Sequence, residues 1–126
     1  MPTDKELIHQ LYAGFNARNM DAVLASLADD VAWANGMEGG HVHGRDAVRA
    51  YWTRQWAAID PHVYPLHLTK ADDGSTLVEV HQVVHDLQGK LLLDENVLHA
   101  FQIQDGRVTR FDIAKAGGLS SIAHAS

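Results

Sequence analysis

Apolar residues recurring at steps of three and four open the chain. Leu7, Ile8, Leu11, Tyr12 and Phe15 form one stripe, which predicts an amphipathic helix over residues 3–18. Thr3 and Glu6 have the spacing of a capping box, in which a hydroxyl and a carboxylate each satisfy a free N–H of the first turn. Asn16 and Asn19 break the stripe, and Asn19 can cap a shorter helix carrying Val23, Leu24 and Leu27 that ends at Asp29-Asp30. A short extended piece, Val31–Ala34, follows, and the Gly-rich stretch Asn35–Gly44 reads as a loop. A third helix starts at Gly44-Arg45-Asp46 with an inner stripe of Val48, Tyr51, Trp52, Trp56 and Ile59. Asp60-Pro61 stops it, because the residue before proline is driven out of the helical region.

Beyond Pro61 the period changes. His62–Thr69, Thr76–Leu87, Lys90–Ile103 and Arg107–Ala114 are rich in Val, Leu and Thr and predict strands. Asp72-Asp73-Gly74, Gln88-Gly89 and Asp105-Gly106 supply the turns between them. Residues 115–126, rich in Ala, Gly and Ser, read as a tail. Three helices and then a strand meander is an α+β layout in which the helices cover one face of a twisted, mainly antiparallel sheet. A sheet that curls would enclose a pocket between itself and the helices.

Composition narrows the function. The 126 residues suit one domain with its own core. The absence of Cys removes disulfides, thiolate metal sites and thiol nucleophiles. A formal charge of −6 without a basic stripe disfavours nucleic acid and anionic membranes as partners. No apolar run approaches a membrane span, and the first residues lack the layout of a signal peptide, so a cytoplasmic location is expected. Neither a phosphate loop nor a dinucleotide fingerprint is present, which points to a protein working without such a cofactor. Ser120-Ser121 lacks the Gly-x-Ser-x-Gly frame of a nucleophile elbow. The nine His are the one excess, and imidazole titrates near neutral pH.

The run Leu27-Ala28-Asp29-Asp30-Val31-Ala32-Trp33, the helix opening His43-Gly44-Arg45 and the hairpin Asp105-Gly106-Arg107-Val108 together resemble the SnoaL-like proteins of the nuclear transport factor 2 (NTF2)-like superfamily, over about residues 5–114. The resemblance implies a cone-shaped α+β barrel with a deep apolar pocket, and a homodimer formed through the outer sheet face. Members include ketosteroid isomerases, polyketide cyclases, epoxide hydrolases and dehydratases, so the fold leaves the activity open. Where the steroid isomerases carry an Asp base, this chain has Asn35, which cannot accept a proton. Their protonated oxyanion Asp aligns with His99, and their oxyanion Tyr falls nearest Leu11 or Tyr12. No match to the Asp of the cyclases or the Asp-Arg-Asp relay of the epoxide hydrolases stands on the corresponding wall.

Alternation divides each strand into two faces. One face of the second long strand carries Leu77, Glu79, His81, Val83 and His85, and the other carries Val78, Val80, Gln82 and Val84. Carrying over the family's pocket positions turns the His81 face and the His99 face inward. The expected pocket then holds Trp33, Asn35, Tyr51, Glu79, His81, Val83, Val97, His99 and Phe111. In that arrangement His99 and His81 would handle protons, Glu79 would orient them, and Asn35 or Tyr51 would polarise an oxygen of a small apolar carbonyl or ring compound. Against this stands a structural polar network within a ligand-binding or dimerisation module. His81-Gln82-Val83-Val84-His85 has the spacing of a zinc-protease motif, but Gln82 replaces its base and the Val residues favour a strand. His41-Val42-His43 is the better metal candidate, since alternate residues of an extended chain point the same way, but it lacks an evident third ligand. The expectation is a metal-free, cofactor-free acid–base enzyme of isomerase, cyclase or hydrolase type acting on a small apolar carbonyl or ring compound, with a non-catalytic ligand-binding or dimerisation module of the same fold as the alternative.

Overall fold

A computed structural model describes residues 3–115 of the chain. Its elements are helices α1 (Asp4–Asn16), α2 (Met20–Ala25) and α3 (Arg45–Ala58), and strands β1 (Leu27–Ala34), β2 (His41–His43), β3 (Asp60–Lys70), β4 (Thr76–His85), β5 (Leu91–Gln104) and β6 (Arg107–Lys115). The capping box at Thr3 is formed in both directions, and Asn19 caps α2 through the Ala22 N–H. Two details depart from the sequence expectation. Helix α2 ends at Ala25, before Asp29-Asp30, and Leu27–Asp30 already belong to β1. The stretch Asn35–Gly44 is not all loop, because His41–His43 pairs antiparallel with Ala32–Ala34.

The six strands run in the order β2-β1-β6-β5-β4-β3, with β2 and β3 as edges, so the sheet is open. Every pairing is antiparallel except β1 with β6, which makes the sheet mixed. Asp105 and Gly106 both take positive φ, the backbone of a two-residue hairpin turn whose twist matches that of its strands.

The motif residues meet in space for a physical reason. The pairing of β1 with β6 shifts register just after Leu27, and the Leu27 carbonyl accepts hydrogen bonds from Arg45 Nε and Nη2 at 2.9 and 2.7 Å. Arg45 also pairs with Asp29 at 3.0 Å, while the Gly44 N–H donates to the Val31 carbonyl. Gly44 has φ 87°, which a side chain would strain. Gly44-Arg45 thus locks the start of α3 onto β1.

Helix α1 is fixed to edge strand β3 by Asn16, whose side chain donates to the Val63 carbonyl at 2.7 Å and accepts from the Val63 N–H at 2.9 Å. The core lies between helices and sheet. From α1 it takes Leu7, Ile8 and Leu11, from α3 Val48 and Trp52, and from β4 Val78, Val80 and Val84, each buried. No described helix is long and apolar enough to cross a membrane.

Candidate functional site

Antiparallel register arranges the inward side chains in rows, because directly opposed residues share a face. Val63, Gln82 and Glu95 form one row across β3, β4 and β5. Val80 and Val97 form the next, then Val78, His99 and Ile113, then Thr76, Phe101, Phe111 and Trp33. The helices close over these rows with Leu11, Tyr12 and Phe15 from α1 and Tyr51, Trp52 and Gln55 from α3. Between them lies a cavity of about 70 Å³.

Aromatic rings make much of the wall. Trp33 stacks on Phe111 with centroids 4.1 Å apart and meets Trp52 edge-on at 5.1 Å. His99 stands edge-on to Phe111 at 4.7 Å. No carboxylate, Lys or Arg is among the described residues lining the cavity.

The polar centre is a pair. Tyr12 Oη lies 2.7 Å from His99 Nδ1, with both groups buried. Burial pushes the His99 pKa down from 6.5 to about 3, and it pushes the Tyr12 hydroxyl well above its ordinary range. Both are therefore neutral at pH 7. The Tyr12 hydroxyl has no other hydrogen-bond partner among the described residues, so its proton must lie toward Nδ1 or be left unpaired in the core. Nδ1 is then the acceptor, and the ring proton of His99 is on Nε2. This nitrogen has no hydrogen-bond partner among the described residues and is not among their enclosed unpaired atoms, and with His99 in the cavity wall it is read as a donor toward the cavity.

The structure brings together only part of the set expected from the sequence. Trp33, Tyr51, Val97, His99 and Phe111 line the cavity. Glu79, His81 and Val83 do not; they occupy the outer face of β4, and the inner face is Val78, Val80, Gln82 and Val84. On that outer face His81 donates from Nε2 to Asp94 at 2.6 Å and lies beside Tyr64. The physical reason is burial: the face with three valines covers the core, and the face with Glu79 and two His meets solvent. Asn35 is buried, but its side chain is committed to the loop. Its Oδ1 accepts from the Met37 and Glu38 N–H groups at 3.0 and 2.9 Å, and its Nδ2 donates to Glu38. It is not among the described residues that line the cavity. Tyr51 is in the wall, with its hydroxyl accepting from the Gly36 N–H at 3.1 Å, and burial pushes its pKa up to about 12.

Of the other sequence candidates, His41 donates from Nε2 to Asp112 at 2.7 Å, and Arg110 holds the same carboxylate. Burial pushes the Asp112 pKa up, but the hydrogen bonds from Arg110 and His41 outweigh it and hold the carboxyl below its usual range. No group of three His, Cys, Asp or Glu able to hold a metal ion occurs among the described residues. Trp52 is core, and Trp56 packs on it at 5.9 Å. Ser120-Ser121 and most of the tail lie outside the described residues.

Sequence reasoning passed over Gln55, Gln82 and Glu95. Gln82 and Glu95 carried a signal: Gln82 alternates with Val78, Val80 and Val84, and Glu95 shares a face with Val97 and His99. Among the described residues two enclosed side-chain polar atoms are unpaired, Glu95 Oε1 and Trp56 Nε1.

Comparison with known proteins places this geometry. An NTF2-like protein of unknown function from Burkholderia pseudomallei superposes with a TM-score of 0.81 at 23% identity, over 98% of this chain and 97% of that one. TerC, co-crystallised with polyporic acid, gives 0.78 at 22% identity over 95% and 93%. A Mycobacterium tuberculosis protein in complex with estradiol-17beta-hemisuccinate gives 0.74 at 14% identity over 86% and 89%. At these identities the likeness is one of fold. No curated protein matches the chain by sequence. The SnoaL-like domain family matches residues 8–111, so the chain belongs to that family.

Proposed function

We propose that the protein binds a small, flat, largely apolar molecule in the cavity and holds one of its oxygens on His99 Nε2. The carrying observation is the Tyr12–His99 hydrogen bond, which fixes the imidazole as a neutral donor aimed into an aromatic enclosure. An acceptor oxygen (carbonyl, ether or phenolate) matches that donor; a second donor does not. The complexes of TerC with polyporic acid and of the mycobacterial protein with an estradiol ester support small organic ligands as the class.

Acid–base catalysis by His99 with His81 and Glu79 loses support, because the latter two side chains are on the opposite face of the sheet. His99 alone is a weak base when its conjugate acid has a pKa of about 3. Stabilising a negative oxygen is the chemistry that a neutral donor in a dry pocket performs best. Ligand binding is therefore the primary reading.

The test is titration of tryptophan fluorescence with biphenyl and with para-acetylbiphenyl. One added hydrogen bond should make the ketone bind about threefold to tenfold tighter than the hydrocarbon. His99→Phe should erase that preference and leave hydrocarbon binding in place. Equal binding of both by the native protein, or binding of neither, refutes the reading.

The outer sheet face, where exposed Tyr64 lies between His62 and His81, is our candidate for a homodimer contact. Sedimentation of the native protein against Tyr64→Glu checks it: a native dimer and a monomeric variant are expected.

A further inference from the structure

Gln82 is the polar group of the cavity wall that the reading above does not use. It sits on the inner face of β4 with Val78, Val80 and Val84, and it lines the cavity beside Val63, its partner across β3. The residue is only 5% exposed. Its side-chain amide has no hydrogen-bond partner among the described residues, and neither amide atom is among their enclosed unpaired atoms. With Gln82 in the wall, the amide is read as open to the cavity. The other wall amide differs: Gln55, equally buried, donates from Nε2 to Tyr51 Oη at 3.4 Å. Glu95 stands directly across from Gln82 on β5, but its Oε1 is unpaired, so the two side chains do not satisfy each other. Burying an unmatched carboxamide destabilises a fold, and another valine would continue the apolar face. Packing alone does not account for this amide.

We infer that Gln82 is a specificity-determining residue of the ligand site, which reads a neutral group carrying a donor and an acceptor side by side, a primary carboxamide or a lactam. This rests on the proposed function and specifies its ligand. A glutamine side chain presents a carbonyl acceptor and N–H donors in one plane, so a second amide in the cis arrangement matches it with two parallel hydrogen bonds. A charged group at this position is disfavoured, because no Lys, Arg or carboxylate is among the described lining residues and the charge would lose its hydration without a partner. Val78 lies directly across from His99, and Gln82 is four residues further along β4. The two polar positions are therefore about 13 Å apart along the strands, at roughly 3.3 Å per residue. The ligand is thus an elongated, neutral, largely apolar body with an acceptor oxygen at the His99 end and an amide at the Gln82 end.

The experiment uses the full chain and four probes built on para-acetylbiphenyl. The far para position carries hydrogen, isopropenyl (the apolar shape of an amide), carboxamide or carboxylate. The native protein should bind the carboxamide about fivefold or more tighter than the isopropenyl compound, and the carboxylate more weakly than the carboxamide. Gln82→Met keeps the length of the side chain and removes the amide; it should bring the carboxamide and isopropenyl compounds within about twofold of each other, with parent affinity unchanged. If the native protein does not distinguish these two compounds, or binds the carboxylate as well as the carboxamide, the inference fails while the proposed function stands. It fails likewise if Gln55→Met erases the preference and Gln82→Met does not. If the parent itself does not bind, both readings fail. A second readout needs no ligand: thermal melting of Gln82→Met and Gln82→Leu. An amide without a protein partner predicts melting at or above the native temperature for both variants, and a clear drop for both would show a structural partner and overturn the inference.

Discussion

Burial of His99 makes the stability of this protein depend on acid in a specific way. In the folded state its pKa is lowered from 6.5 to about 3 by desolvation, with Nδ1 held by Tyr12. As pH falls below 6.5 the unfolded chain takes up a proton that the native state refuses. Stability is therefore full above the unfolded pKa and declines until pH reaches the folded value near 3. The slope approaches about 1.4 kcal/mol per pH unit inside that window, which gives a loss of about 2 kcal/mol between pH 7 and pH 5. For a domain of this length that loss corresponds to a fall of about 8 °C in melting temperature.

The perturbation that isolates the effect is His99→Phe, compared with the native protein in urea unfolding at pH 7, 6 and 5. The Phe variant strands the Tyr12 hydroxyl, an offset of about 1–3 kcal/mol that is the same at every pH. The ion pairs His41–Asp112 and His81–Asp94 are present in both proteins and cancel in the difference. The native curve should thus descend toward the variant curve by about 2 kcal/mol over this range. Parallel curves would refute the argument, since they would mean that His99 accepts a proton inside the fold as easily as outside it. An approach in the opposite direction would mean that protonated His99 finds an acidic partner.

Three further substitutions probe how the site is held. Tyr12→Phe should cost about 1–3 kcal/mol by leaving Nδ1 unmatched, and adding His99→Phe should restore part of it, because an all-apolar pair leaves nothing unpaired; chemical denaturation of the three variants measures this. Asn16→Ala removes both hydrogen bonds to Val63 and should cost about 1–3 kcal/mol, read as loss of protection of the Val63 amide in hydrogen exchange and as a lower unfolding midpoint. Gly14→Ala should destabilise by about 1–2 kcal/mol despite the better helix propensity of Ala, since a Cβ there would lie 2.6 Å from Val23 Cγ2. In a Val23→Ala background the same change should stabilise, as a urea midpoint will show.

Local pattern by itself determined most of the elements. The stripe of α1, its capping box, the Asn19 cap and the Asp105-Gly106 hairpin all follow from interactions within a few residues. Trp33, Tyr51, Val97 and Phe111 were expected in the cavity wall through the pocket positions that the family resemblance implies, and they line it. The orientation of β4 was legible too, in the contrast between Val78, Val80 and Val84 on one face and Glu79, His81 and His85 on the other. Family pocket positions pointed the opposite way, and hydrophobic burial is the stronger guide, since a strand has one face toward the core.

Only the tertiary structure decided the chemistry. His99 Nδ1 meets a hydroxyl 87 positions earlier in the chain, on a helix whose register against the sheet no local rule fixes. That contact, together with complete enclosure, sets the tautomer and the depressed pKa. Asn35 was expected to polarise a bound oxygen, but its Oδ1 ties down the backbone of its own loop and the residue stays out of the cavity wall, which depends on how residues 36–40 fold. The parallel pairing of β1 with β6 is likewise a long-range outcome, as is the bond from Arg45 to the Leu27 carbonyl. Periodicity reports which side of an element is apolar. Which polar atoms meet, and which stay unmatched, depends on the packing of elements far apart in sequence.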